Sequence, residues 1–146
     1  MMHQPGEAWT YQTSFCVLGI LLARAAGRPL EELLRERIFA PLGMADTGFS
    51  VSAAKLDRFG PCYVAGDRGL EVLDGVEDSQ WSRPAPFPNA EGGLVSTVDD
   101  YLAFARAILG RAPRLLTDES IVAMTADQLT ARQRAMAGDF LGEQRG

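Results

Sequence analysis

The segment Gln4-Pro5-Gly6-Glu7-Ala8-Trp9-Thr10-Tyr11-Gln12-Thr13-Ser14-Phe15 indicates how the rest of the chain is arranged. Pro fixes φ and Gly relieves the next position, so Pro5-Gly6 predicts a reversal of the chain. Thr13 and Ser14 are N-cap residue types that stand directly before an apolar run beginning at Phe15. Tyr11 is therefore expected on a short connector between a turn and a helix, where side chains that carry chemistry are often presented.

Two helices are predicted next. The first runs from about Ser14 to Ala26, with Gly27 and Pro29 as its stop signals. It has no polar face, so we expect it to be covered on all sides as the central helix of the fold. The second runs from about Leu30 to Phe39, and Pro41 is expected to end it.

The sequence after the second helix predicts a small hairpin and further short helices. A hairpin is expected from Cys62–Ala65 and Leu70–Leu73 around the turn 66–69. The Pro-containing stretch from Gly75 to Gly93 is long for a loop without structure, which suggests a functional wall or lid. Later helices are expected after Ser96 or Thr97, from Thr117 to about Met124, and after Thr130. The fold class predicted for these residues is mainly α with a small β hairpin.

Composition excludes several function classes. The chain has 146 residues and a net charge of −5, with no basic run, so nucleic acid is not expected as a partner. Cys16 and Cys62 have no metal or redox spacing, and Cys16 is interpreted as a buried thiol of the apolar helix. The lone His3 cannot assemble a metal site. Neither a metal nor a cofactor is expected.

Targeting signals are not evident. The apolar run of the first helix is too short to cross a bilayer and contains Arg24, so no membrane span is expected. The residues before the turn show neither a charged n-region nor an apolar h-region. The compartment stays open, with a cytoplasmic location favoured.

Three blocks of sequence carry a resemblance to a known family. They are the P-G-E-x-W-x-Y-x-x-S pattern of residues 5–14, the segments 27–34 and 38–49, and Gly92-Gly93-Leu94-Val95-Ser96-Thr97-Val98-Asp99-Asp100-Tyr101. In this order they resemble the serine β-lactamase-related hydrolases, which include class C β-lactamases, penicillin-binding carboxypeptidases and esterase relatives. The resemblance implies an α/β β-lactamase/transpeptidase-like fold for the parent protein. Residues 1–146 are interpreted as a single partial domain, the middle part of such a hydrolase.

The resemblance also implies site residues. Tyr11 matches the family's catalytic tyrosine, which relays protons while a serine attacks an acyl carbonyl. Thr13 stands where the β-lactamase branch has Asn, so it is either a substrate-binding residue of an esterase-like relative or a plain N-cap. Gly92 and Gly93 either let the backbone approach a substrate or serve simple turn chemistry.

A nucleophile is harder to place. Ser52-Ala53-Ala54-Lys55 matches Ser-x-x-Lys, but it follows the tyrosine motif, whereas the family's motif precedes it. Ser52 is therefore interpreted as a capping residue and Lys55 as a solvated lysine. The family's own Ser-x-x-Lys motif is missing, and this chain alone is expected to be inactive.

Two hypotheses follow. In the first, the chain belongs to a serine hydrolase that acts on a small ester, amide or lactam through an acyl-serine. In the second, it is a non-catalytic helical or pseudoenzyme module that needs a partner chain. The apolar first helix motivates the second hypothesis, because exposed apolar surface favours self-association or a complementing chain.

Overall fold

The computed structural model describes residues 3–4, 6–9, 13–111 and 113–136. Its helices are α1 (Thr13–Ala26), α2 (Leu30–Leu34), α3 (Ala40–Leu42), α4 (Val98–Ile108), α5 (Asp118–Thr125) and α6 (Ala131–Met136). The strands β1 (Cys62–Gly66) and β2 (Gly69–Asp74) pair in an antiparallel two-stranded sheet. The prediction of a mainly helical chain with one small hairpin is confirmed.

The second predicted helix extends further than the sequence indicated. A π-helical turn, Arg35–Phe39, joins α2 to α3, and the helical run ends at Gly43, whose φ of 69° is left-handed. Pro41 therefore does not end the helix. It lies in the first turn of α3. Because proline has no backbone N–H, one hydrogen bond of the helix is missing there. The wider bonding pattern, in which the Ala40 N–H reaches the Arg35 carbonyl, accommodates that gap.

The hydrophobic core lies where α2 and α3 meet α4. Its buried members are Phe39, Leu42, Met44 and Ala107, and partly buried side chains from α4 pack around them. One face of α4, which carries Ala103, Phe104 and Ala107, makes this packing, whereas the apolar side chains of Val98, Tyr101 and Leu102 are exposed. Phe49, only 3% exposed, anchors the loop that follows α3. The core therefore fixes residues 44–49 against α4.

Helix α1 is not covered by the described residues, contrary to expectation. Gly19 is its only buried residue, whereas Val17 and Leu21 are 62% and 60% exposed. Gly19 packs against Leu30 of α2 and Ala90 of a long loop, whereas the large apolar side chains on the other faces are exposed by 38% or more. One narrow stripe of α1 therefore contacts the rest of the structure.

The loop that ends at Gly93 is attached through Trp81. This residue lies in a 3-10 turn (Gln80–Ser82), its indole N–H donates to the Gly93 carbonyl at 2.9 Å, and its own carbonyl accepts the Val51 N–H at 2.7 Å. Ser79, which is fully buried, accepts the backbone N–H of Trp81 and donates to Asp74. The loop is thus held to the body of the chain at both of its ends.

No single helix in residues 13–111 and 113–136 is both long and apolar enough to cross a membrane. Helix α1 and the helical run Leu30–Leu42 are long and apolar enough only when they are taken together, and the angle between them is 80°.

Candidate functional site

The predicted catalytic residue, Tyr11, lies outside the described residues. Thr13, two positions later in the sequence, is the first residue of α1 and is exposed. Its hydroxyl makes no hydrogen bond to another described residue, so it does not act there as the N-cap that one interpretation predicted. The first turn of α1 therefore presents a hydroxyl that the described structure does not use.

The end of the long loop lies along the same helix. The Cys16 thiol donates a hydrogen bond to the Glu91 carboxylate. A Cβ atom added to Gly19 would stand only 3.0 Å from the Ala90 backbone nitrogen, so the loop backbone contacts the helix directly. As the loop advances from Ala90 to Glu91, its contacts move from Gly19 to Cys16, which is toward the first turn of the helix.

This geometry brings two sequence-predicted segments into one neighbourhood. Thr13 and Cys16 are three residues apart and lie on the same side of α1. Gly92 and Gly93 directly follow Glu91, which is in contact with Cys16. The start of α1 and the end of the long loop therefore border one surface, which we call the α1–loop site and define as Thr13, Cys16, Glu91, Gly92 and Gly93.

The two glycines of this site differ. Gly93 has a φ of 89°, a left-handed conformation that favours glycine, and its carbonyl is held by Trp81. The left-handed backbone conformation of the turn therefore explains why position 93 is a glycine. Gly92 is exposed, and a Cβ placed on it would meet no described atom within 4 Å. It leaves open space beside the helix, as close approach of a substrate would require.

Cys16 was interpreted wrongly as a plain buried thiol. It is half-buried, and its hydrogen bond to Glu91 raises the pKa of the thiol above its ordinary value. The neutral thiol is favoured because its S–H donates a hydrogen bond to the carboxylate, which would repel a thiolate. Its position three residues after Thr13 was the available signal, but its partner is 75 residues away in the sequence.

The Ser-x-x-Lys match at Ser52 and Lys55 lies apart from this site. Ser52 precedes a 3-10 helix (Ala53–Arg58), and its hydroxyl makes no capping bond. Lys55 is partly exposed, and its ammonium also donates to the Ala45 carbonyl at 2.7 Å and pairs with Asp46 at 2.6 Å. An ammonium group has three N–H donors and no lone pair, so it cannot take a proton from Ser52.

Asp46 is the electrostatic centre of this second region. The same carboxylate oxygen pairs with Arg58 at 2.9 Å and with Lys55. Hydrogen bonds from Arg58 and Lys55 lower the pKa of Asp46 to about 2, because both cations favour the charged carboxylate. Asp46 is therefore ionised throughout the neutral range.

Within residues 13–111 and 113–136, no three His, Cys, Asp or Glu side chains are arranged to hold an ion. The chemistry available to the α1–loop site is that of hydroxyl, thiol, carboxylate and backbone groups.

Comparisons with known proteins identify the family. The model of the Beta-lactamase family matches residues 1–145. An uncharacterized protein of Mycobacterium tuberculosis is 39% identical over 146 residues, covering 97% of this chain and 36% of its own length. Esterase EstB of Burkholderia gladioli is 30% identical over 132 residues, covering 78% of this chain and 33% of its own length.

A solved structure supports the same assignment. A variant of simvastatin synthase from Aspergillus terreus superposes with a TM-score of 0.82 at 26% identity, covering 98% of this chain and 35% of that enzyme. The chain thus spans about a third of the length of these relatives. The family model matches nearly every residue, and the resemblance read from the sequence is confirmed: the chain belongs to the Beta-lactamase family.

Proposed function

We propose that this chain forms the helical side of an acyl-transfer site in an esterase-like serine hydrolase. The observation that carries the proposal is the Cys16–Glu91 contact, which joins α1 to the residue directly before Gly92. Family membership supports the reaction class, and the esterase EstB, at 30% identity, supports ester chemistry. The substrate is then a small ester, with amides and lactams as the wider class.

Each site residue has a proposed role. Tyr11 relays the proton that leaves the attacking serine hydroxyl and reaches the departing alcohol, while the serine oxygen bonds the acyl carbon. Thr13 offers a hydroxyl where a carboxamide would recognise a lactam, which favours esters. Gly92 leaves room for the acyl group beside the helix. The serine then passes the acyl group to water or to an acceptor alcohol.

The attacking serine is proposed to lie outside these 146 residues. The engagement of Lys55 by Asp46 argues against Ser52 as the nucleophile, because a serine needs a neighbouring base to lose its proton. The chain alone should then hydrolyse p-nitrophenyl butyrate no faster than its Ser52→Ala variant. Turnover that disappears in Ser52→Ala would contradict this assignment.

A chimera tests the proposal as a whole. The segment of Burkholderia gladioli EstB that aligns with this chain would be replaced by the corresponding residues of the chain, which are 30% identical over 132 positions. We expect the folded chimera to hydrolyse p-nitrophenyl butyrate, because EstB supplies the remaining two thirds of the protein. A chimera that unfolds cooperatively like EstB but has no activity would count against the proposal.

A second candidate function is a non-catalytic module that acts with a partner chain. The exposed apolar face of α1, where Phe15, Val17 and Leu21 are each more than half exposed, favours it. It predicts concentration-dependent self-association of the purified chain and binding of an apolar dye. A monodisperse monomer without dye binding in light-scattering and fluorescence measurements would contradict it.

A further inference from the structure

A cleft of about 180 Å³ shares no lining residue with the α1–loop site. It opens between the loop after α3, the 3-10 helix Ala53–Arg58 and the segment that leads into α4. Its lining includes both cations of the Asp46 cluster and several hydroxyl groups, namely Thr47, Ser50, Ser52, Ser96 and Thr97. None of these residues belongs to the α1–loop site, so the cleft, here called the cationic cleft, needs its own explanation.

The charge of this lining is positive. Lys55 and Arg58 share one carboxylate oxygen of Asp46, so two cations and one carboxylate line the cleft, while Asp57 and Asp100, outside the lining, also act electrostatically on Arg58. The nearby Asp100 does not line the cleft; it is 8% exposed, and its carboxylate already accepts bonds from Asp46 and Thr47.

The lining also holds unused donors. The only hydrogen bond of Arg58 within the described residues is made by one Nη2 atom to Asp46, which leaves the other guanidinium N–H groups free of partners there. The hydroxyls of Ser50 and Ser52 make no hydrogen bond to any described residue. The Asp46 pairs hold both cations in place, so a ligand would meet donors that are already positioned.

We propose that the cationic cleft binds a small tetrahedral oxyanion of the phosphate class. The donors come from more than one wall, and phosphate presents up to four oxygens, whereas a carboxylate presents two in one plane. The guanidinium and ammonium groups match phosphate by charge and by hydrogen bonding. Both cations are partly exposed, so we expect a dissociation constant on the order of 1 mM.

Two-dimensional NMR of the ¹⁵N-labelled chain tests the proposal. Inorganic phosphate, phenyl phosphate and acetate would be titrated separately at constant ionic strength, with chloride as the balancing anion. Inorganic phosphate should saturate the shifts of Val51, Ser52 and Ser96, and acetate should bind at least roughly tenfold more weakly. A matching response to phenyl phosphate would extend the ligand class to phosphate esters. Equal responses to phosphate, acetate and chloride would overturn the proposal.

Variants separate the cleft from general charge effects. Arg58→Gln should weaken phosphate binding at least roughly tenfold, whereas Arg68→Gln, in the hairpin turn, should leave it unchanged. Arg58→Gln also breaks an ion pair with Asp46. The double variant Ser50→Ala/Ser52→Ala provides an independent test, because these two substitutions remove no hydrogen bond within the described structure. That variant should keep its unfolding midpoint and lose binding severalfold. Unchanged phosphate affinity in the double variant or equal losses in both arginine variants would contradict the site.

Discussion

The hydroxyl of Thr47 donates a 2.8 Å hydrogen bond to the carboxylate of Asp100, 53 residues further along the chain. The same carboxylate accepts the backbone N–H of Asp46 at 2.8 Å, and Asp100 is only 8% exposed. Since Asp100 lies in the first turn of α4, these bonds join the loop after α3 to that helix. A buried carboxylate therefore fixes the loop that carries the Asp46 cluster.

Removing that carboxylate should weaken the fold. We expect Asp100→Ala to lower the free energy of unfolding by about 1.5–3 kcal/mol, because it leaves the Thr47 hydroxyl and the Asp46 N–H without their charged acceptor. Urea unfolding followed by circular dichroism would measure it. The matched control is Asp99→Ala, an exposed neighbour, which should change stability by less than about 0.5 kcal/mol. Equal effects of the two variants would contradict the role of Asp100.

Gly19→Ala should not gain the stability that alanine usually brings to a helix. Alanine is favoured over glycine within a helix by about 1 kcal/mol, but the added Cβ would meet the Ala90 nitrogen at 3.0 Å and Leu30 Cδ2 at 3.2 Å. Overpacking of this kind costs about 1–3 kcal/mol, so we expect Gly19→Ala to be neutral or destabilising. A rise of about 1 kcal/mol in the free energy of unfolding would show that the loop does not press on α1.

The local signals in the sequence predicted much of the fold correctly. Gly27 ends α1, Thr97 caps α4 and the turn after Gly66 closes the hairpin, because each depends on residues only a few positions apart. Long-range pairing could not be predicted in the same way. Neither the Asp46–Lys55 pair nor the Cys16–Glu91 contact follows from local pattern, since each depends on how separate elements pack.

The candidate site shows the same division. Thr13 and the Gly92-Gly93 pair could be selected through the family resemblance, but the resemblance did not indicate that Cys16 and Glu91 bring them together. Pro41 was expected to end a helix on local grounds, yet the π-helical turn absorbs its missing donor. The tertiary contacts of Phe39 and Leu42 with α4 stabilise that continuation.

The N-cap of α4 should contribute measurably to the free energy of unfolding. The Thr97 hydroxyl accepts the Asp100 N–H at 3.2 Å, which satisfies one of the free donors of the first turn. Thr97→Ala should lower the free energy of unfolding by about 1 kcal/mol, while Thr97→Ser, which keeps the hydroxyl, should lose much less. Thermal and urea unfolding would compare them. Indistinguishable losses for alanine and serine would exclude capping as the cause.

Stability should fall in acid through Asp46. Its pKa is about 2 in the folded chain and near 3.8 when unperturbed, so the folded state favours the carboxylate. That contribution is complete above the unfolded pKa and is lost as the pH falls from about 4 toward about 2. Asp46→Asn should therefore show a shallower loss of unfolding free energy across this window than the unmodified chain. Asp67→Asn, in the hairpin turn, serves as control and should retain the unmodified slope.

The most direct measurement of the proposed acyl-transfer role is the effect of Tyr11→Phe on kcat/KM for p-nitrophenyl butyrate in the EstB chimera. Removing a proton relay costs about 10²–10⁴ in rate, so we expect a loss of at least roughly 100-fold with unchanged unfolding. The matched control is Tyr63→Phe, an exposed strand residue, which should retain full activity. A folded Tyr11→Phe chimera as active as its parent would contradict the account.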